Sequence, residues 1–402
     1  MLPQPAPSPL RGKYLVRRTP VNQVLRLVDS LLGLVRSSCP NPPLATPPRR
    51  ILLANGAHLG DVFLSTALLP VLQEAFPAAE FGFLIGSWSR PVVQDHPLLR
   101  WVHVVDHWKI NRARISLLQK ISQYDRTRRQ ALREIRQVRY EVALDLYYYF
   151  PNSIPLLWQA GIPTRIGYTS GGFGPLLTHA LDFRNAERHV LDYQADLLRF
   201  LPLGKAVGEL RPQMDTIPRH EPGWDLPKEY LVFHLGTGAA WKEWPREKWR
   251  ALAEALCQRG HDLVFTGNRE AERRLIQEVS RGLPSCVDLC GRLTLREFAA
   301  VLREARLLIG VDSVAGHLAA AVGTPCVVIA GGITHPAHWR PRSDRSRVLR
   351  HPVPCSPCYL SRGCAGMECV RRVEVEQVLA AVEDLLLRHW ALGIRHSFAS
   401  VR

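Results

Sequence analysis

The run Ile309-Gly-Val-Asp-Ser-Val-Ala-Gly-His-Leu-Ala-Ala-Ala-Val-Gly-Thr-Pro325 reads as a buried strand, a short polar turn and the start of a helix of small residues. A turn that opens a helix presents unpaired backbone N–H groups, which suit an anion such as a phosphate. Asp312, Ser313, Gly316 and His317 fall at or just after the strand-to-helix change, the edge at which open α/β sheets bind ligands. The competing reading is a plain strand-to-helix connection capped by Asp312 or Ser313.

Two further segments share this grammar. Ile51-Leu-Leu-Ala-Asn-Gly-Ala-His-Leu-Gly-Asp-Val62 runs from a strand through a glycine-containing loop into a helix that begins near Asp61. Gly56 and Gly60 let a ligand approach the backbone, and a carboxylate at Asp61 suits a general base or, alternatively, a helix cap. In Tyr230-Leu-Val-Phe-His-Leu-Gly-Thr-Gly-Ala-Ala-Trp-Lys-Glu-Trp-Pro245, the turn holding Thr237 and Gly238 suits phosphate oxygens and Lys242 offers a mobile cation. Pro245 is the expected first residue of the next helix. The spacing of a P-loop is absent, and glycine turns also occur without ligands.

A fourth cluster is Cys355, Cys358, Cys364 and Cys369, spaced C-x2-C-x5-C-x4-C in a loop rich in Pro and Gly. Four thiols so close together fit a structural zinc or iron ion, or else a reduced or disulfide-linked loop. The other five cysteines (Cys39, Cys257, Cys286, Cys290 and Cys326) are scattered and read as reduced, mostly buried thiols.

The elements that must position these residues follow from hydrophobic period. Strands are expected at 51–54, 81–85, 102–105 and 142–146, then at 230–234, 263–266, 307–311 and 327–330. Helical patterns fall at 61–76, 112–138, 245–258, 269–281, 294–304, 313–322 and 374–390. Strand-helix alternation implies parallel sheets covered on both faces. Two such series, separated by a Pro/Gly-rich stretch near 202–227, imply two doubly wound domains facing across a cleft. The expected boundaries are a Pro-rich extension at 1–49, domains at 50–215 and 216–390, and a tail at 391–402. Within the extension, Val21, Leu25, Val28, Leu32 and Val35 mark an amphipathic helix with Arg26, Asp29 and Arg36 elsewhere, suited to packing on the body or a partner chain, or to lying on an anionic membrane.

With 402 residues, 46% of them hydrophobic, the chain can bury two cores. Its formal charge of +16 rests almost wholly on arginine, since only 7 of the 52 basic residues are Lys. Such an excess points to acidic partners. No RNA-binding aromatic-basic signature or zinc-finger spacing is present, so nucleic acid is not an expected partner. No apolar run spans a bilayer and no signal peptide is recognisable, which favours a cytoplasmic protein.

Taken together, the segments Ala57-His-Leu-Gly-Asp61, His234-Leu-Gly-Thr-Gly238 through Lys242-Glu-Trp-Pro245, and Gly310-Val-Asp-Ser313 through His317-Leu-Ala-Ala320 resemble glycosyltransferase family nine, the ADP-heptose:lipopolysaccharide heptosyltransferases. The likeness covers roughly residues 50–390, including Gly291-Arg-Leu-Thr-Leu-Arg-Glu297 and the cysteine run. It implies a GT-B-like α/β architecture, an acceptor on the N-terminal domain, a nucleotide-sugar on the C-terminal one, and inverting displacement at the anomeric carbon. Carried onto this chain, Asp61 is the catalytic base, Lys242 the diphosphate contact, Asp312 the sugar contact, and His317 the histidine that follows. Glu270 is placed near the ribose. The chain departs from the pattern at Val314-Ala315, where many members have Gly-Pro.

The resemblance implies a heptosyltransferase that uses ADP-heptose and a lipopolysaccharide core or related anionic glycolipid, with peripheral contact at the cytoplasmic face of the inner membrane. No Asp-x-Asp motif occurs, so catalysis is expected to need no cofactor, and Lys242 with helix-end amides would neutralise the leaving group. The alternatives are transfer to a protein or natural-product acceptor, and a binding protein that keeps the fold without catalysis.

Overall fold

The computed structural model of the chain describes residues 14–15, 19–36, 47–183, 187–204, 207–214, 224–360 and 363–391. It divides into two compact units at the Pro212–Gln213 junction. The first unit is built on six parallel strands: β1 (Arg50–Asn55), β2 (Glu80–Ile85), β3 (Leu99–Val104), β4 (Val142–Asp145), β5 (Thr164–Tyr168) and β6 (His179–Leu181). The second repeats this with β7 (Tyr230–His234), β8 (Asp262–Thr266), β9 (Cys286–Asp288), β10 (Leu307–Val311), β11 (Cys326–Ile329) and β12 (Ser346–Leu349).

Spatial order is β3-β2-β1-β4-β5-β6 in one sheet and β12-β11-β10-β7-β8-β9 in the other. In each unit the chain winds outward to one edge, returns to the centre and winds to the opposite edge, so each sheet has a switch point, between β1 and β4 and between β7 and β10. In open α/β sheets the loops leaving the carboxyl ends of such strands diverge at the switch point, which forms the ligand crevice.

The central strands are apolar on both faces because helices cover both. Ile51 to Ala54, Leu231 to Phe233 and Leu307 to Ile309 are fully buried. The helix Arg246–Gln258 turns Trp249, Leu252, Ala253 and Leu256 inward, the stripe that a 3.6-residue repeat produces. Trp249 meets Trp244 edge to face at 5.0 Å, and the helix Val375–Ala391 closes the same core with Val378, Val382 and Leu385.

The structure also corrects several expected bounds. The 61–76 pattern forms two helices, Leu59–Ser65 and Leu68–Ala75, because Pro70 has no N–H for the Thr66 carbonyl, which instead accepts from Leu69 at 3.0 Å. The 112–138 pattern starts at Leu117: Ser116 Oγ accepts the Gln119 N–H and Gln119 Oε1 accepts the Ser116 N–H, a reciprocal cap. Strands β5, β6, β9 and β12 were not expected. Of these, β6, β9 and β12 are edge strands, and β9 and β12 are half-exposed throughout, so neither carries a buried apolar run.

The extension forms the helix Thr19–Arg36, packed in the first unit through buried Leu25 and Asp29. Asp29 accepts from Tyr14 Oη at 2.8 Å and from the Phe173 N–H at 2.7 Å. Cys39, residues 1–13, 16–18 and 37–46 of the Pro-rich flanks, and residues 392–402 of the expected tail lie outside the described residues. Among those described, no helix is long and apolar enough to cross a membrane.

Candidate active site

The switch crevice of the second unit brings two of the sequence segments together. Lys242, in a short 3-10 turn (Ala240–Lys242) beyond β7, donates to Asp312 Oδ2 at 2.7 Å, while Asp312 ends the turn after β10. Burial pushes the Asp312 carboxyl up, but the ammonium charge and hydrogen bond of Lys242 outweigh it and hold the group below the ordinary carboxylate range. Both side chains remain partly open, 31% exposed for Lys242 and 26% for Asp312. A charged pair half-open at the crevice is available to an incoming charged ligand.

Ser313 caps the helix Val314–Val322, its Oγ accepting the Ala315 N–H at 3.3 Å. Val314 takes the first helical position, so no glycine is required there. Gly316 serves packing: a Cβ on it would lie 2.9 Å from Val328 and 3.2 Å from Pro341. His317 is buried beside Asp312 and Lys242, and burial lowers its pKa to about 4, so it is neutral at pH 7. Its Nδ1 meets no hydrogen-bond partner among the described residues.

The glycine turn after β7 is held by a residue that sequence reasoning passed over. The Glu272 carboxylate accepts from the N–H groups of Asn268 (2.7 Å) and Arg269 (3.1 Å) and from the Arg269 guanidinium, which also donates to the Thr237 carbonyl. Glu272 presses against Gly236, whose Cβ, were there one, would sit 2.3 Å from the carboxyl carbon. Thr237 is buried and Gly238 exposed. Glu270 is different: it is exposed at the start of the helix Glu270–Ser280 and faces Arg273 and Arg274. Glu272 stands three residues after the N-cap Arg269, the position from which an acid reaches back to the cap.

In the first unit, Asp61 is the third residue of the helix Leu59–Ser65, which begins two residues earlier than expected, with Gly60 in the same first turn. Its Oδ2 accepts the His58 N–H at 3.0 Å, so the capping reading of Asp61 is observed. The preceding loop is braced by Asn55, which accepts from the Ala57 N–H and donates to Ser65 Oγ at 2.9 Å, and by Trp88 Nε1 on the Ala57 carbonyl at 2.6 Å. Across the switch point, Tyr147 follows β4. Burial raises its phenol pKa, and the Asp61 charge adds to the rise while Arg112 opposes it. Asp61, Tyr147 and Arg112 therefore share one electrostatic neighbourhood at the carboxyl end of the sheet. The sequence did not single out Tyr147 or Arg112.

The cysteine run is not gathered into a metal-sized cluster in the structure as it stands. Among the described residues no three His, Cys, Asp or Glu side chains converge on a metal-sized position. Cys369 turns into the core and Cys355 is exposed. Cys364 Sγ accepts the Met367 N–H at 3.3 Å. Burial raises the Cys369 thiol pKa, with smaller contributions from Cys358, Cys364 and Cys355, so the thiols are neighbours without sharing a centre. The loop is fixed instead by backbone bonds, Cys358 N–H to Gly332 at 3.2 Å and Tyr359 N–H to Ile333 at 2.7 Å.

Two doubly wound α/β units, each with its polar turns at the switch point, define a GT-B-like fold. A glycosyltransferase family 9 protein from Veillonella parvula shares it with a TM-score of 0.64 and 22% identity, covering 85% of this chain and 97% of that one. The E. coli ADP-heptose lipopolysaccharide heptosyltransferase II aligns with a TM-score of 0.63 and 20% identity, covering 85% and 99%. In sequence, lipopolysaccharide heptosyltransferase 1 of Pseudomonas aeruginosa is 28% identical over 376 residues, 84% of this chain and 98% of that protein. The pattern described as glycosyltransferase family 9 (heptosyltransferase) matches residues 128–366, more than half of the chain, which belongs to that family. The protein is thus a glycosyltransferase.

Proposed function

We propose that the chain transfers a heptose, with inversion, from ADP-heptose to the core of a lipopolysaccharide or related anionic glycolipid at the cytoplasmic face of the inner membrane. The observation that carries this reading is the Lys242–Asp312 pair at the mouth of the helix Val314–Val322, in a chain of the heptosyltransferase family. The second unit, about residues 216–390, takes the donor. Lys242 leaves Asp312 for the diphosphate, the first-turn N–H groups of the helix add positive potential, and Asp312 turns to the sugar hydroxyls. Glu272 and Arg269 hold the glycine turn, where Thr237 and Gly238 meet the phosphates, and Glu270 lies toward the ribose.

The first unit, about residues 50–215, takes the acceptor. Asp61 accepts the proton of the acceptor hydroxyl as its oxygen attacks the anomeric carbon, and the bond to the diphosphate breaks with its electron pair leaving on ADP. Neutralisation of ADP falls to Lys242 and the helix end, so no metal ion is needed on the diphosphate. The test is ADP release from ADP-heptose. Release that depends on a heptose-deficient lipopolysaccharide acceptor supports the reading, whereas no release with that acceptor, or equal release with other nucleotide-sugars, refutes it.

A further inference from the structure

The helix Thr19–Arg36 has two apolar faces. One is buried: Leu25 and Asp29 point into the first unit, and Leu32 packs on Ile154, Leu176 and Leu177. The other is open, with Val24 at 59% exposure, Leu27 at 62%, Leu31 at 56% and Leu34 at 74%. These four recur at steps of three, four and three, which places them in one row along the outer surface. A helix that has already docked has no folding reason to keep such a row, and contiguous exposed apolar surface marks a contact.

The charge composition of this part of the sequence selects the partner. Residues 1–50 contain eight basic residues, Arg11, Lys13, Arg17, Arg18, Arg26, Arg36, Arg49 and Arg50, against a single acid, Asp29, which is buried and bonded inward. Arg26 is exposed on the helix itself. A second copy of this chain would bring the same cations face to face and be repelled. An anionic lipid surface satisfies both features, since the apolar row enters the acyl boundary while the arginines meet headgroup phosphates.

We propose that this helix docks the enzyme on an anionic phospholipid bilayer through Val24, Leu27, Leu31 and Leu34. The proposal deepens the reading of a membrane-borne acceptor, yet its test needs neither donor nor acceptor, so the two can fail separately. The full chain is mixed with vesicles of phosphatidylethanolamine and phosphatidylglycerol, or of phosphatidylcholine alone, and floated on a density gradient. Binding to the anionic vesicles that weakens with salt is expected, together with slowed amide exchange over residues 24–34. The double substitution Leu27→Glu and Leu31→Glu should lower binding by at least about tenfold without changing turnover on a delipidated core oligosaccharide. Because both side chains are exposed, the melting temperature should hold; if it falls, Leu34→Glu alone gives the same comparison. No binding to anionic vesicles, equal binding by the substituted protein, or a protein dimer abolished by these substitutions in place of vesicle binding would overturn the proposal.

Discussion

Replacing Lys242 by Met keeps the length of the side chain but removes the charge opposite Asp312. The pair is made at 2.7 Å with both partners about a quarter to a third exposed, so it stands between two regimes. Exposed pairs contribute up to about 1 kcal/mol, and breaking a fully buried one costs roughly 3–5 kcal/mol. A loss of about 1–3 kcal/mol at neutral pH follows for Lys242→Met. The sign of its pH dependence is also fixed. In the wild type Asp312 is held below its ordinary pKa, so it stabilises the fold above that value and loses this as pH falls through the folded pKa. Without Lys242 burial dominates, the folded carboxyl rises, and acidification relieves the variant. The deficit against wild type should therefore narrow between about pH 7 and pH 5. Adding Asp312→Asn should restore stability, since no unpaired charge then remains. Urea unfolding at both pH values measures this, and calorimetry should show ADP-heptose binding weakened by about 1.5–3 kcal/mol. Equal stability of Lys242→Met and wild type at both pH values, with unchanged donor affinity, would refute the reasoning.

Asp61→Asn retains an oxygen for the His58 N–H, so its melting temperature should stay near wild type while turnover falls by roughly two to four orders of magnitude; comparing the two readouts separates base from cap. Gly236→Ala drives a methyl into the fixed Glu272 carboxylate and should destabilise the fold by about 1–3 kcal/mol, with weaker donor binding, measured by thermal unfolding and titration. His317 has its pKa lowered to about 4 by burial, so its contribution is intact above about pH 6.5 and is lost as pH falls toward 4. The folded protein excludes that proton. His317→Gln should flatten the acid limb of a stability-pH curve by up to about 3 kcal/mol.

Central strands were legible because burial on both faces writes them as unbroken apolar runs, as at Ile51 to Ala54 and Leu307 to Val311. The outer strands β9 and β12 were not, since half-exposed residues such as Ser346 and Arg347 carry no such run. Asp61, Lys242 and Asp312 stand out in the sequence because glycine and charge punctuate the change from strand to helix. What periodicity cannot show is which acid turns inward: Glu270 and Glu272 lie two residues apart, yet the helix exposes one and gives the other to the Asn268 and Arg269 amides. Tyr147 comes to the Asp61 neighbourhood only through the parallel pairing of β1 with β4, a contact between distant parts of the sequence. The cysteine spacing records proximity along the chain and does not carry the direction of each thiol, by which Cys369 is buried and Cys355 exposed.

The central claim is the identity of the transferred group. Purified protein incubated with ADP-heptose and a heptose-deficient lipopolysaccharide core, followed by mass spectrometry of the acceptor, should reveal the addition of a single heptose, and none when Asp61→Asn is used for the same time. An acceptor of unchanged mass with wild-type protein that binds ADP-heptose, or equal product from Asp61→Asn, would contradict the account.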